Sequence, residues 1–186
     1  DLSDDGYVQP FSDSPTDDEH VGANIHISLV NAANRYIFIQ TPYLVLDNEM
    51  KTSLELAAKC GVDVRIMVPH IPDKKFVFEV TRANYRSLLK NGVKIYEYTP
   101  GFVHAKTMVT DDKLAVIGTI NLDFRSYYLH YECGVWMYES RAVMDLKADY
   151  LKTLEKCEEI TYEKYMKSNI LRRAYRSILS LFSPLL

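Results

Sequence analysis

Three short apolar runs, Tyr36–Gln40, Val62–Val68 and Val93–Tyr98, are separated by stretches long enough for a helix, and this spacing is the strongest constraint on the fold. The intervening stretches Glu49–Lys59 and Lys75–Lys90 stop just short of Gly61 and Gly92, the residue type that closes helices in a left-handed backbone. Strand, helix, glycine stop and strand in succession describe βαβ units, whose crossover helices make neighbouring strands parallel. Another helix is predicted from about Glu19 to Asn34, where Val21, Ile25, Leu29 and Ala32 recur at helical spacing and Asp17 or Asp18 is placed to cap it.

After Pro100-Gly101 the rhythm changes. The β-runs Val103–Thr110 and Leu114–Ile120 are separated only by Asp111-Asp112-Lys113, which predicts a hairpin. A further run, Glu132–Tyr138, precedes a long helical stretch from Arg141 towards Glu159, and the opening Gly6–Asp18 pairs a short strand with a Ser/Pro/Asp-rich loop. The expectation is an α/β fold, a mixed β-sheet flanked by helices on both faces. Residues 1–162 read as one domain and 163–186 as a basic amphipathic tail.

Composition excludes several classes. A chain of 186 residues with 47% apolar and 25% charged residues builds one core, which excludes disorder and an assembly of separate enzymes. The net charge of −3 argues against nucleic acid as a partner. That total conceals a gradient, because residues 1–34 hold seven acids and no Lys or Arg, whereas 164–186 hold five bases and no acid. Cys60, Cys133 and Cys157 form no C-x-x-C pair and read as reduced, structural thiols. No apolar stretch approaches the 18 or so residues of a membrane helix, so the fragment itself is expected to be soluble. A first residue of Asp1 rather than Met suggests a piece of a longer chain.

Chemistry concentrates in one segment, His104-Ala-Lys106 with Asp111, followed by Gly118-Thr119-Ile-Asn121, in pattern form H-x-K-x4-D-x6-G-T-x-N. On a strand, residues two apart share a face, so His104 and Lys106 are expected to point together. Imidazole beside ammonium suits attack on a phosphodiester: neutral histidine is a nucleophile or proton shuttle near pH 7, and lysine neutralises phosphoryl oxygens. Thr119 and Asn121 add hydroxyl and amide donors, and Gly118 allows close backbone approach. No metal and no cofactor are expected. His20, His26, His70 and His130 lack ligand spacing, and Lys106 would repel a cation. Asp111, in the hairpin turn, reads as structural within the motif. Tyr43, just past a strand end, reads either as pocket lining or as rim packing, and Lys74 and Lys75 either as head-group contacts or as solvated lysines.

This pattern resembles the HKD signature of the phospholipase D superfamily at every fixed position, with Thr119 where serine is commoner. The resemblance extends over nearly the whole chain to bacterial cardiolipin synthases of the phospholipase D type. It is carried by Thr41-Pro42-Tyr43-Leu44, by Gly92–Tyr98 leading into Gly101–Lys106, by Asn121-Leu-Asp123-Phe-Arg125-Ser126, and by the closing Leu181–Leu186. It implies a metal-free transfer between two phosphatidylglycerol molecules, giving cardiolipin and glycerol through a phosphatidyl-histidine. It also implies a site of His104, Lys106, Thr119 and Asn121, with Glu132 orienting the histidine and Arg125 supporting the loop or reaching a phosphate. The family carries two HKD motifs per chain and this sequence has one, so the chain looks like the C-terminal half of a cytoplasm-facing bacterial membrane enzyme. The partner is then an N-terminal half with a second motif, or a homodimer mate. His104 is assigned the acid/base role, as the second motif of such enzymes implies. Two other readings stand beside this one: a one-motif homodimeric phosphodiesterase or nuclease, and a silent lipid-binding half.

From Lys167 onward, Ile170, Leu171, Ala174, Tyr175, Ile178, Leu179 and Phe182 fall on one helical face and Arg172, Arg173 and Arg176 elsewhere. Such a helix either lies on a membrane surface or docks on the domain's own core.

Overall fold

The three apolar runs become the parallel centre of an eight-stranded sheet in a computed structural model, which describes residues 5–16 and 18–179. The first part supplies β1 (Tyr7–Asp13), α1 (Val21–Ala32), β2 (Tyr36–Gln40), the short β3 (Leu44–Val45), α2 (Asn48–Lys59), β4 (Asp63–Pro69), α3 (Lys75–Lys90) and β5 (Lys94–Tyr98). Next come β6 (Thr107–Thr110), β7 (Leu114–Gly118), the short β8 (Leu122–Asp123), α4 (Phe124–Tyr128) and β9 (Glu132–Tyr138). The chain continues through α5 (Arg141–Leu154), β10 (Cys157–Ile160), α6 (Tyr162–Met166) and α7 (Ile170–Leu179). Strand order is β1-β9-β7-β6-β2-β4-β5-β10, parallel between β2, β4 and β5 and antiparallel elsewhere.

Side-chain alternation puts helices on both faces. Along β2, Ile37 and Ile39 join Leu29 and Val30 of α1 and Met50 and Leu54 of α2 in one core. Tyr36 and Phe38 turn to the other face, where Phe38 stacks on Tyr150 of α5 with ring centres 4.9 Å apart. The expected α/β architecture is present. Gly61 and Gly92 both hold φ of +94°, so each ends its helix in the conformation anticipated. The cap of α1 differs. Asp18 does not cap it, and Asp17 lies outside the described residues; the buried carboxylate of Asp13, delivered by β1, accepts from Gly22 N at 2.7 Å.

Inside α1, His26 is buried and its Nδ1 is hydrogen-bonded to the Tyr127 hydroxyl at 3.0 Å. Burial pulls its pKa from the ordinary 6.5 down to about 4. The unfolded chain therefore binds a proton that the folded chain refuses between these values, and stability falls as pH drops through that window, by up to about 3 kcal/mol. Urea denaturation of the chain at about pH 7 and pH 5 is expected to show this loss, and His26→Gln, which keeps a partner for Tyr127 without titrating, is expected to flatten it.

Three expectations need correction. The helix from Arg141 ends at Leu154, and Cys157–Ile160 form β10, antiparallel to β5 at the sheet edge. Cys157 and Ile160 are three apart, which mimics one helical face; in the strand they point to opposite faces, Cys157 towards the α5 side and Ile160 into the core with α1 to α3. The run predicted from Val103 becomes a strand only at Thr107, and the run predicted to Ile120 ends at Gly118. Finally, Asn121–Ser126 is not plain loop, because β8 pairs in parallel with β3 and Asp123 caps α4 by accepting from Ser126 N at 2.7 Å.

The tail folds back on α3. Arg176 is buried and its Nε donates to Glu79 at 2.7 Å, while Arg172 also donates to Glu79. Partial burial favours the neutral acid, but the two guanidinium groups hold the Glu79 carboxyl below its ordinary range. Leu179 is buried with Val45 and Val80, whereas Ile170, Leu171, Tyr175 and Ile178 are half or more exposed. The helix thus docks through its arginine side and turns an apolar stripe outward. Phe182 lies outside the described residues. Among the described residues no helix is long and apolar enough to cross a membrane.

Candidate active site

The strand register brings the motif together at one edge of the sheet. Gln40 closes β2 opposite Thr107, the first residue of β6; Thr107 lies opposite Ile117, and Gly118 closes β7 opposite Gly134 of β9. His104 to Lys106 entering β6, Gly118 to Asn121 leaving β7 and Glu132 opening β9 therefore meet at the same end, where the parallel strands β2, β4 and β5 also finish. The buried Thr107 hydroxyl donates to Gln40 Oε1 at 2.9 Å and fixes β6 to β2 there.

An open depression of about 540 Å³ is lined by His104, Lys106, Gly118, Thr119 and Asn121. That volume falls within the roughly 300–1,000 Å³ of small-molecule sites. His104 is exposed, its ring 5.6 Å from that of Phe102, which in turn lies 6.3 Å from Tyr43. Lys106 Nζ donates to the His104 backbone carbonyl at 2.7 Å, and both residues line the depression although the segment before Thr107 is not strand. Burial pulls the Lys106 ammonium below its ordinary pKa, opposed by the carboxylates of Glu132 and Asp123.

The other members are held rather than free. Thr119 donates its hydroxyl to Glu132, accepts from Cys133 N at 3.0 Å, and gives its own N–H to the Cys133 carbonyl at 2.9 Å. Glu132 also lies 3.7 Å from His130 Nδ1, so among the described residues its partners are Thr119 and His130, and His104 is not one of them. Asn121 Nδ2 donates to the Ser126 hydroxyl at 3.0 Å, while its buried Oδ1 has no hydrogen-bond partner among the described residues. Gly118 is close-packed against protein: a Cβ there would stand 2.4 Å from the Cys133 carbonyl oxygen and 2.7 Å from Gly134 Cα, so the glycine admits β9.

Asp111 sits at the far end of β6 from His104. It takes φ of 55° and accepts from Asn34 N at 2.7 Å and from Arg35 N and Tyr36 N, each at 2.9 Å. Burial alone would raise its pKa, and the three amides bring it below the ordinary value. Ion pairing in the turn belongs to Asp112 instead, which meets Arg35 at 2.8 Å and Lys147; the lysine first, then Tyr36 and Arg35, hold its pKa at about 2.

The β3–β8 pair places Tyr43 beside Asn121. The Tyr43 hydroxyl donates to Asp73 at 2.5 Å, and its pKa is raised by burial and by that carboxylate. Tyr43, Lys74, Arg125, His130 and Asn121 line a second depression of about 400 Å³. Asn121 belongs to both. His130 carries no motif of its own and enters the residue pattern only as a histidine without ligand spacing; its signal is position, two residues ahead of Glu132. Among the described residues no group of three His, Cys, Asp or Glu side chains is arranged to hold a metal ion.

Comparison with known proteins fits this geometry. Residues 26–154 match the family described as "Cardiolipin synthase, PLD-like domain". The chain is 40% identical over 181 residues to a cardiolipin synthase of a Geobacillus species, covering 97% of this chain and 36% of that protein. It is 37% identical over 185 residues to a cardiolipin synthase of Halalkalibacterium halodurans, covering 100% of this chain and 37% of the relative. The chain thus spans little more than a third of the length of these relatives. Its fold is shared with the phospholipase D family member Nuc from Salmonella typhimurium, with a TM-score of 0.71 at 15% identity, over 83% of this chain and 98% of that one.

Proposed function

This chain belongs to the cardiolipin synthase family of phospholipase D-like domains, and we propose that it is the C-terminal catalytic half of such an enzyme. The observation that supports the reading is the single depression lined by the exposed His104, the half-buried Lys106 and Asn121.

In the proposed reaction, a histidine of the other half attacks the phosphorus of one phosphatidylglycerol. A nitrogen–phosphorus bond forms, the bond from phosphorus to the glycerol oxygen breaks, and His104 gives its proton to the departing alkoxide. The hydroxyl of a second phosphatidylglycerol then gives its proton to His104 and attacks phosphorus. An oxygen–phosphorus bond forms, the nitrogen–phosphorus bond breaks, and cardiolipin leaves. Lys106 stabilises the phosphoryl oxygens in both steps. Glu132 holds Thr119 and through it the wall of the site, Asp111 anchors the far end of β6, and Arg125 faces the substrate side. A single half supplies one of the two histidines, so the second comes from an N-terminal half or from the two-fold mate of a dimer. The outward stripe of α7 suits the surface of a bacterial membrane, reached from the cytoplasmic side.

The full-length protein, given phosphatidylglycerol vesicles, is expected to release glycerol and cardiolipin in equal amounts, measured by lipid chromatography and a glycerol assay. Cleavage of DNA or of a soluble phosphodiester, with no cardiolipin formed, would favour the dimeric nuclease reading instead.

A further inference from the structure

Cardiolipin carries two phosphates bridged by one glycerol. A site that makes it from two phosphatidylglycerols must therefore hold a second phosphodiester one glycerol length from the phosphorus under attack. The molecule offers two adjoining depressions with a common wall residue. The first contains His104 and Lys106, and the second contains Lys74 and Arg125; Asn121 lines both. Lys74 and Arg125 are exposed, and among the described residues neither is engaged in an ion pair, unlike Arg172 and Arg176, which are bound to Glu79. The opposing charge in the depression, Asp123, is buried, and its Oδ1 is held by Ser126 N at 2.7 Å. Val45 and Val77 complete the wall with apolar surface, and Tyr43 is fixed against it by Asp73.

We propose that the second depression is the acceptor subsite, in which Lys74 and Arg125 bind the phosphate of the incoming phospholipid while its glycerol hydroxyl reaches past Asn121 to the reacting phosphorus. Asn121 lines both depressions and so marks the boundary that this hydroxyl crosses. Binding the acceptor by its phosphate makes the subsite selective for a phosphorylated alcohol over a simple one. This rests on the transferase reading above.

The test is a competition between acceptors. Full-length protein in phosphatidylglycerol vesicles containing ethanol forms cardiolipin from the phospholipid acceptor and phosphatidylethanol from the alcohol, both from one phosphatidyl-enzyme. Because ethanol has no phosphate, the ratio of cardiolipin to phosphatidylethanol reports acceptor binding alone. Combined Lys74→Gln and Arg125→Gln substitution is expected to lower that ratio about tenfold. The deficit should hold at every phosphatidylglycerol fraction of the vesicle, because competing acceptors partition one intermediate by their specificity constants, and Arg125→Lys should recover part of it. A ratio within twofold of the unaltered protein overturns the subsite, whatever happens to total turnover. Unaltered protein that forms phosphatidylethanol but no cardiolipin overturns the synthase reading itself and the acceptor site with it, so the two failures are told apart by the unaltered protein. Lys74 and Arg125 lie on the surface, and a variant that loses both products through misfolding is recognised by circular dichroism; the single substitutions then carry the same ratio test.

Discussion

Changing His104 to alanine in the full-length protein is expected to lower cardiolipin formation by about 10³-fold or more. The departing glycerol alkoxide is strongly basic, and without a proton donor its bond to phosphorus does not break at a useful rate. The acid/base role makes a sharper prediction than loss alone. A phosphatidyl donor with p-nitrophenolate as leaving group needs no proton, so His104→Ala should still form the phosphatidyl-enzyme from it, slowed by less than about tenfold. Attack by the second alcohol still needs a base, so the intermediate should accumulate and the reaction should show a burst of one nitrophenolate per active site followed by very slow turnover. Loss of the burst together with turnover would assign His104 as the nucleophile and the acid/base role to the other half. Lys106→Met should depress both phases with either donor, because the phosphoryl oxygens carry charge in each.

The parts of this molecule that follow a local rule were legible in the sequence. The continuous apolar run of Tyr36–Gln40 and the glycine stops at Gly61 and Gly92 act within a few residues, and the parallel centre of the sheet follows from them. The convergence of His104, Lys106, Thr119 and Asn121 was legible because one hairpin carries all four, and antiparallel register does the rest. What escaped depends on partners remote in sequence. Gly118 is a glycine because the Cys133 carbonyl crosses it, a contact that exists only after β7 pairs with β9. The amphipathic tail could be drawn on a helical wheel, but which side faces in is decided by Glu79, 97 residues before Arg176. A wheel alone would bury the apolar side; two arginines seated on a half-buried carboxylate reverse that choice. The resemblance gives Glu132 the task of orienting His104, whereas in the structure its carboxylate meets Thr119 and His130.

Glu97→Ala is expected to be among the most destabilising single substitutions in the chain, at about 3–5 kcal/mol. In the run Lys94–Tyr98 polarity alone reads glutamate as a solvent residue, but alternation puts Ile95 and Glu97 on one face, and both are fully buried. The carboxylate accepts from Arg82 twice, at 2.9 and 2.7 Å, from His70 Nδ1 at 2.8 Å and from the Tyr85 hydroxyl at 3.0 Å, which joins α3 to β5 and to the end of β4. Alanine would leave the largely buried Arg82 without a countercharge and the buried Tyr85 hydroxyl without an acceptor, and each omission is costly away from water. Glu97→Gln retains the shape and one acceptor, so its cost should be smaller, about 1–3 kcal/mol. The discriminating variant removes both charges: Glu97→Leu with Arg82→Met should be more stable than Glu97→Ala alone, since no ion is then stranded. Chemical denaturation of the chain would rank the three. If the double variant were no better than the alanine, packing and not the buried charge would be what Glu97 supplies, and the junction of α3 with the sheet would owe its strength to Ile95, Leu88 and their neighbours in the core.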